Sequence, residues 1–117
     1  MVYAELISIG KILLVVEVSP KGEVIMGNPE VLIEEMTRKE ISEVLSHVEV
    51  IIIPVGSTEQ HGNHLPLKHD TAQVCFIAKE AASRLYPKIL VTPPVCFGLS
   101  AHHLPWPLTI TLQPETF

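Results

Sequence analysis

Five side chains able to bind a metal ion or move a proton crowd into residues 59–70: Glu59, His61, His64, His69 and Asp70. Divalent ions with hydrolytic roles take imidazole and carboxylate ligands and keep one position open for water. Glu59 and His61, two residues apart, point the same way from an extended segment. Asp70 follows far enough on for a loop to turn back, and a carboxylate there can bridge two ions through its separate oxygens. Gly56 and Gly62 allow tight backbone turns around such a site, and Pro66 stiffens the return path. Each residue also has a plainer use. A loop histidine ordinarily just faces solvent, Asp70 can cap a helix, and Glu59 can pair with a neighbouring cation. Three potential ligands gathered between an apolar strand and a helix start favour a metal site over these separate uses.

The elements around them are legible. Val50–Ile53 is a continuous apolar run stopped by Pro54, the pattern of a strand covered on both faces, as in parallel sheets flanked by helices. Upstream, Thr37-Arg38-Lys39-Glu40 has the form of a capping box, and Ile41, Val44, Leu45 and Val48 make an apolar stripe, so a helix is expected over 37–48. His47 falls off that stripe and reads as a surface residue. Downstream, Asp70 is the expected N-cap of a second helix that buries Val74, Ile77, Ala78, Ala81 and Leu85 and ends at Pro87. Ile89–Thr92 and Leu108–Leu112 read as further short strands, and Gln113-Pro114-Glu115 as the opening of another helix. Near the N-terminus, Leu6–Val18 and Glu23–Met26 flank Ser19-Pro20-Lys21-Gly22, a turn signal that predicts a β-hairpin. The order helix, strand, helix, strand argues an α/β fold with a mainly parallel sheet. Two parts are expected: a hairpin extension over 1–29 and the body of the domain over 30–117.

Composition narrows the classes. The chain has 117 residues, 47% hydrophobic and 18% charged, with a formal net charge of −5, enough apolar side chain for a sizeable core. It carries no basic run, which argues against nucleic acid as a partner. No apolar stretch reaches the length of a membrane span, and no secretory leader pattern opens the chain, so a cytoplasmic location is the expectation. Cys75 and Cys96 do not form a CxxC motif and read as buried free thiols.

The string PVGSTEQHGNHLPLKHDT, residues 54–71, closely resembles the first motif of the creatininase (creatinine amidohydrolase) family, approximately PVGSxEQHGPHLPLxTDT. The match includes Glu59, His61, Gly62, His64, Leu65, Pro66 and Asp70. A second block, from Pro93 through His103 and on to Phe117, is similar to the family pattern PPxxYGxSxxHxxFPGTISLSPETF. The resemblance implies a metal-dependent hydrolase with a layered α/β/α fold, usually hexameric, binding zinc or manganese, two ions in a complete site. The implied substrate is a small molecule with a cyclic or linear amide, attacked by metal-bound hydroxide. By motif position Glu59 would bind one ion, His61 the other, and Asp70 would bridge them. His64 would serve outside the ligand set, holding a ligand in orientation or facing substrate, as would His103, which fits the family histidine better than His102.

The chain departs from the family pattern at several positions. Asn63 stands for the usual Pro, His69 for Thr, and Trp106-Pro107-Leu108 for Phe-Pro-Gly. The family's second half carries an Asn-Gly-His-Gly-type segment, the remaining catalytic carboxylate and the substrate-binding residues, all expected beyond Phe117. These residues therefore read as the front part of the domain. The other expectation is a catalytically incompetent lobe that serves as an assembly or binding module.

Overall fold

The computed structural model describes residues 5–9, 12–16 and 30–117. Four strands form one sheet in the order β1 (Glu5–Ile9), β2 (Ile12–Val16), β3 (Val50–Pro54) and β4 (Ile89–Val91). β3 and β4 run parallel in the register Ile51↔Leu90, whereas β1–β2 and β2–β3 are antiparallel. Parallel pairing continues beyond the named strands, with Leu32 beside Val91 and Val55 beside Val95. The α/β class is therefore as expected, with an antiparallel pair added at one edge. That pair reverses between Ile9 and Ile12, earlier in the chain than the expected turn. Ser19–Gly22 and Glu23–Met26, where the turn and second arm were expected, lie outside the described residues.

Helix α1 spans Arg38–Val44 and begins as anticipated. Thr37 Oγ1 accepts from the Glu40 amide at 3.3 Å, and Glu40 Oε2 accepts from the Thr37 amide at 2.7 Å. The hydrogen bonds from Thr37 hold the Glu40 carboxyl below the usual carboxylate range. The cap's contribution to stability is therefore present above that range and is lost as pH falls through the lowered value. The helix tightens into a 3-10 turn over Leu45–His47, so Val44 and Val48 are buried while Leu45 is left exposed. His47 is half-buried rather than a surface residue.

Helix α2 spans His69–Arg84. Its buried row is Asp70, Val74, Ala78 and Ala82, successive i, i+4 positions on one face. Small alanines let the helix lie close on β3 and β4. The expected face was wrong in part: Ile77 and Leu85 are exposed, as is Phe76, because this helix is apolar on more than one side. Val31, Ile52, Ala78, Ala82 and Val91 form one core cluster, and Val44, Val48 and Leu90 a second. Burying such side chains stabilises the fold by about 1.5–3 kcal/mol each for the larger ones.

Two places join the strand ends to the helix and the tail. At Gly56 a Cβ would lie 2.4 Å from Thr71 Oγ1 and 2.5 Å from Thr71 Cα, so only glycine lets the end of β3 meet the start of α2. The stretch Leu108–Leu112 does not form the expected strand. Ile110 bridges Thr58 antiparallel, and Thr111 bridges Gly98 in parallel, without a continuous ladder. Leu108 itself has φ 62° and is 80% exposed. A side chain in that left-handed region crowds its own backbone, which is why glycine suits the position. Residues 113–117 close one hydrogen-bonded turn, in which the Thr116 and Phe117 amides donate to Gln113 O at 2.9 and 3.2 Å, the second of these with the i to i+4 spacing of a helix.

Gly56→Ala is expected to lower the unfolding free energy by about 1–3 kcal/mol, because the Thr71 backbone cannot step aside. Leu108→Gly should raise it by about 0.5–1 kcal/mol, the relief of left-handed strain less the added freedom of an unfolded glycine. Urea denaturation of the two variants beside the wild type measures both, and a shift of opposite sign in either would contradict the corresponding contact or strain.

Candidate metal centre

Past Pro54 the chain stays pinned to its neighbours. The Gly56 amide donates to Val95 O at 2.8 Å, Thr58 Oγ1 to Cys96 O at 2.9 Å, and the Ile110 amide to Thr58 O at 3.0 Å. Glu59 follows at 6% exposure, its amide donating to Leu67 O at 3.3 Å. The loop after His61 turns at Gly62, whose φ of 70° suits glycine, and returns through Pro66 into α2. Thr71 Oγ1 donates to Ser57 O across the junction at 3.4 Å. Asp70 therefore arrives beside His61 in the first turn of α2, at 8% exposure. It is not the N-cap that its position in the sequence suggested. Lys68 occupies that place without a side-chain cap bond, and the Asp70 carboxylate is turned to His61 instead. The positive end of the helix favours a carboxylate there.

Glu59, His61 and Asp70 each offer one ligating atom, and these atoms lie within 4.8 Å of one another. Two donors on one ion are at most roughly 4.3 Å apart, twice an ordinary bond length, so small side-chain rotations close the set. The hydrogen bonding of His61 is more telling. Its Nδ1 is 3.1 Å from the Glu59 carbonyl oxygen, which can only accept, so the ring hydrogen sits on Nδ1. In the neutral ring Nε2 then presents a lone pair, 2.9 Å from Asp70 Oδ1, another acceptor. Two acceptors that close call for a cation between them, a proton or a metal. A ligating histidine ordinarily donates its other nitrogen to a carbonyl in this way, and the donor set fits a divalent ion.

The other expected residues are placed less uniformly. His103 sits in a 3-10 turn, Ala101–His103, with Nε2 3.8 Å from Glu59 Oε1. His102 and His103 form with Glu59 a second group whose ligating atoms lie within 4.8 Å of one another. His64 is exposed and lies over Gly62, where a Cβ would be 3.2 Å from its Nδ1; it makes no hydrogen bond or ion pair among the described residues. His69 opens α2 with its ring centroid 4.9 Å from that of His61. Cys75 and Cys96 are free and half-buried, and burial first, then Cys96 and Glu34, pushes the Cys75 thiol up, which leaves it a poor nucleophile.

Two residues without an expected role turn out to matter. Ser100 is fully buried, and its hydroxyl donates to Glu59 Oε2 in a short hydrogen bond. Its amide donates to Thr111 Oγ1 at 2.9 Å, so the final bridged segment anchors it. Gln60 links Gly62 to His103, with the Gly62 amide donating to Gln60 Oε1 at 2.8 Å and Gln60 Nε2 lying 2.9 Å from His103 Nδ1. The only sequence signal for either was its place inside a motif.

The chain is similar to known proteins in both sequence and fold. The family model for creatininase, creatinine amidohydrolase, matches residues 34–117. A 3-dehydro-scyllo-inosose hydrolase from Thermotoga maritima is 39% identical over 88 residues, 74% of this chain and 28% of that protein. A mycofactocin precursor peptide peptidase from Mycobacterium ulcerans is 38% identical over 72 residues, 56% of this chain and 29% of the relative. Among solved structures, a mutant creatininase complexed with creatine superposes with a TM-score of 0.65 at 30% identity, covering 75% of this chain and 35% of that one. A second mutant creatininase gives 0.67 at 28% identity, covering 75% and 36%. The chain thus spans about a third of the length of the proteins it matches. With a family model matched over most of its length, the chain belongs to the creatininase family.

Proposed function

We propose that this chain carries the first half of the site of a metal-dependent hydrolase acting on a cyclic or linear amide. The observation that carries the reading is the His61–Asp70 contact, in which Nε2 lies 2.9 Å from a carboxylate oxygen beside buried Glu59 while Nδ1 faces the Glu59 carbonyl. Glu59, His61 and Asp70 would hold the ion, and mixed imidazole and carboxylate donors suit zinc or manganese. When bound, such an ion polarises a carbonyl and makes water acidic enough to act as a nucleophile near neutral pH. The chain's own residues do the rest of what these segments can do. Ser100 fixes the rotation of the Glu59 carboxylate, the Glu59 carbonyl fixes the ring of His61, and His64, which is exposed, would face substrate. The names of the relatives, one an inosose hydrolase and one a peptidase, support hydrolysis as the reaction class.

A second reading has its own support. Large apolar side chains are exposed along residues 97–108: Phe97, Leu99, Leu104, Trp106 and Leu108. Patches of this kind are ordinarily covered. The lobe would then act as an assembly module, or as part of a homo-oligomer.

Metal analysis of the purified chain after zinc or manganese loading tests the first reading, with amide hydrolysis followed on the same samples. His61→Ala should weaken binding by more than about 100-fold, and Ser100→Ala, which frees Glu59 without removing a ligand, by about 10–100-fold. A wild-type chain that takes up no stoichiometric metal would overturn the proposal. Sedimentation velocity addresses assembly: a self-associated species is expected, and a monodisperse monomer at high concentration would rule the second reading out.

A further inference from the structure

Glu59 has a second neighbour, His103, whose hydrogens can be placed from the chain alone. The Gly62 amide can only donate, and it donates to the side-chain oxygen of Gln60 at 2.8 Å. That contact fixes which end of the Gln60 amide is oxygen and which is nitrogen, since the flipped amide would set two donors against each other. The NH2 group of Gln60 then lies 2.9 Å from His103 Nδ1 and can only donate to it. Nδ1 is therefore the acceptor of the ring, and the ring hydrogen of neutral His103 sits on Nε2. Nε2 is the atom 3.8 Å from Glu59 Oε1. That separation is longer than a direct hydrogen bond, within reach of a modest side-chain rotation or one bridging water.

We infer that Gln60 is a positioning residue: through the relay Gly62–Gln60–His103 it makes His103 present an N–H, not a lone pair, to the Glu59 carboxylate. Glu59 is then flanked by two donors, the hydroxyl of Ser100 on Oε2 and the imidazole of His103 on the side of Oε1. His103 is removed from the set of metal donors through Nε2, although Glu59, His102 and His103 are close enough together to pass for a second ion site. The backbone holds this arrangement. The His103 amide donates to Ser100 O at 2.9 Å, and its carbonyl accepts from the Trp106 amide at 3.0 Å and from Thr109 Oγ1 at 2.9 Å. The ring also packs against His102 and Trp106, with centroids 4.2 and 5.7 Å away. The two imidazoles beside Glu59 thus have opposite hydrogen placement, with the proton on Nδ1 in His61 and on Nε2 in His103. One offers a lone pair toward the buried carboxylates and the other offers a hydrogen. The inference concerns hydrogens on the chain itself and does not depend on the metal reading.

Long-range 1H–15N NMR of the histidine rings, recorded well above the ordinary imidazole titration range, reads these placements directly. The wild-type chain should show His103 as the Nε2–H tautomer. Gln60→Glu keeps the acceptor for the Gly62 amide and replaces the donor facing His103 by an acceptor, so it should move the hydrogen to Nδ1 or leave the ring doubly protonated. Gln60→Ala should leave a mixture. A wild-type Nδ1–H tautomer, or a His103 unchanged in Gln60→Glu, would overturn the inference, and the wild-type measurement alone decides it if a variant does not fold. Adding zinc separates this from the metal proposal. Loss of the Nε2 hydrogen of His103 on zinc addition would make it a ligand and overturn the relay, whereas a His61 ring untouched by zinc would count against the metal centre and leave the relay intact.

Discussion

The contact between Gly56 and Thr71 is the constraint from which the arrangement of this site follows. The end of β3 passes so close to the start of α2 that a methyl group at residue 56 would overlap the Thr71 backbone. That approach brings the segment carrying Glu59 and His61 against the helix turn carrying Asp70. A wider junction would separate Glu59 and His61, in their loop, from Asp70 on the helix. The same closeness explains the alanines along α2. A helix anchored this tightly at one end must lie flat on the sheet, and Ala78 and Ala82 are the side chains that allow it.

Chemistry is concentrated on Glu59 because it is shared by two parts of the chain. Residues 59–70 supply His61 and Asp70 on one side, and residues 100–111 supply Ser100 and His103 on the other. The second part is anchored by threonines rather than by a strand ladder, with Thr111 holding Ser100 and Thr109 holding His103. A buried carboxylate is costly unless it is well partnered, and the Ser100 hydroxyl supplies Glu59 with such a partner.

What was legible in the sequence was local. The capping box at Thr37 and Glu40, the strand at Val50–Ile53 and the extent of α2 each depend on side chains a few residues apart, and each formed close to where the pattern placed it. What went astray depended on partners the sequence does not name. Asp70 looks like a cap because caps are short polar residues before a helix, yet His61 takes its carboxylate. Ile77 and Leu85 look like core because they are apolar, yet the helix is apolar on two sides and only the sheet decides which is covered. Residues 108–112 have strand composition, but with a left-handed Leu108 and bridges at Thr58 and Gly98 they form no continuous ladder among the described residues. Ser100 and Gln60 were invisible for the same reason, since their partners lie 41 and 43 residues away.

The division of the site into a near part and a far part also sets what each part costs to close. His61 and Asp70 are separated by 9 residues, Gln60 and His103 by 43. Closing the longer loop costs roughly 1.4 kcal/mol more chain entropy. The acceptor-rich half is thus the cheaper one to close, while Ser100 and His103 rely on the longer-range contacts of residues 98–112 to stand beside Glu59.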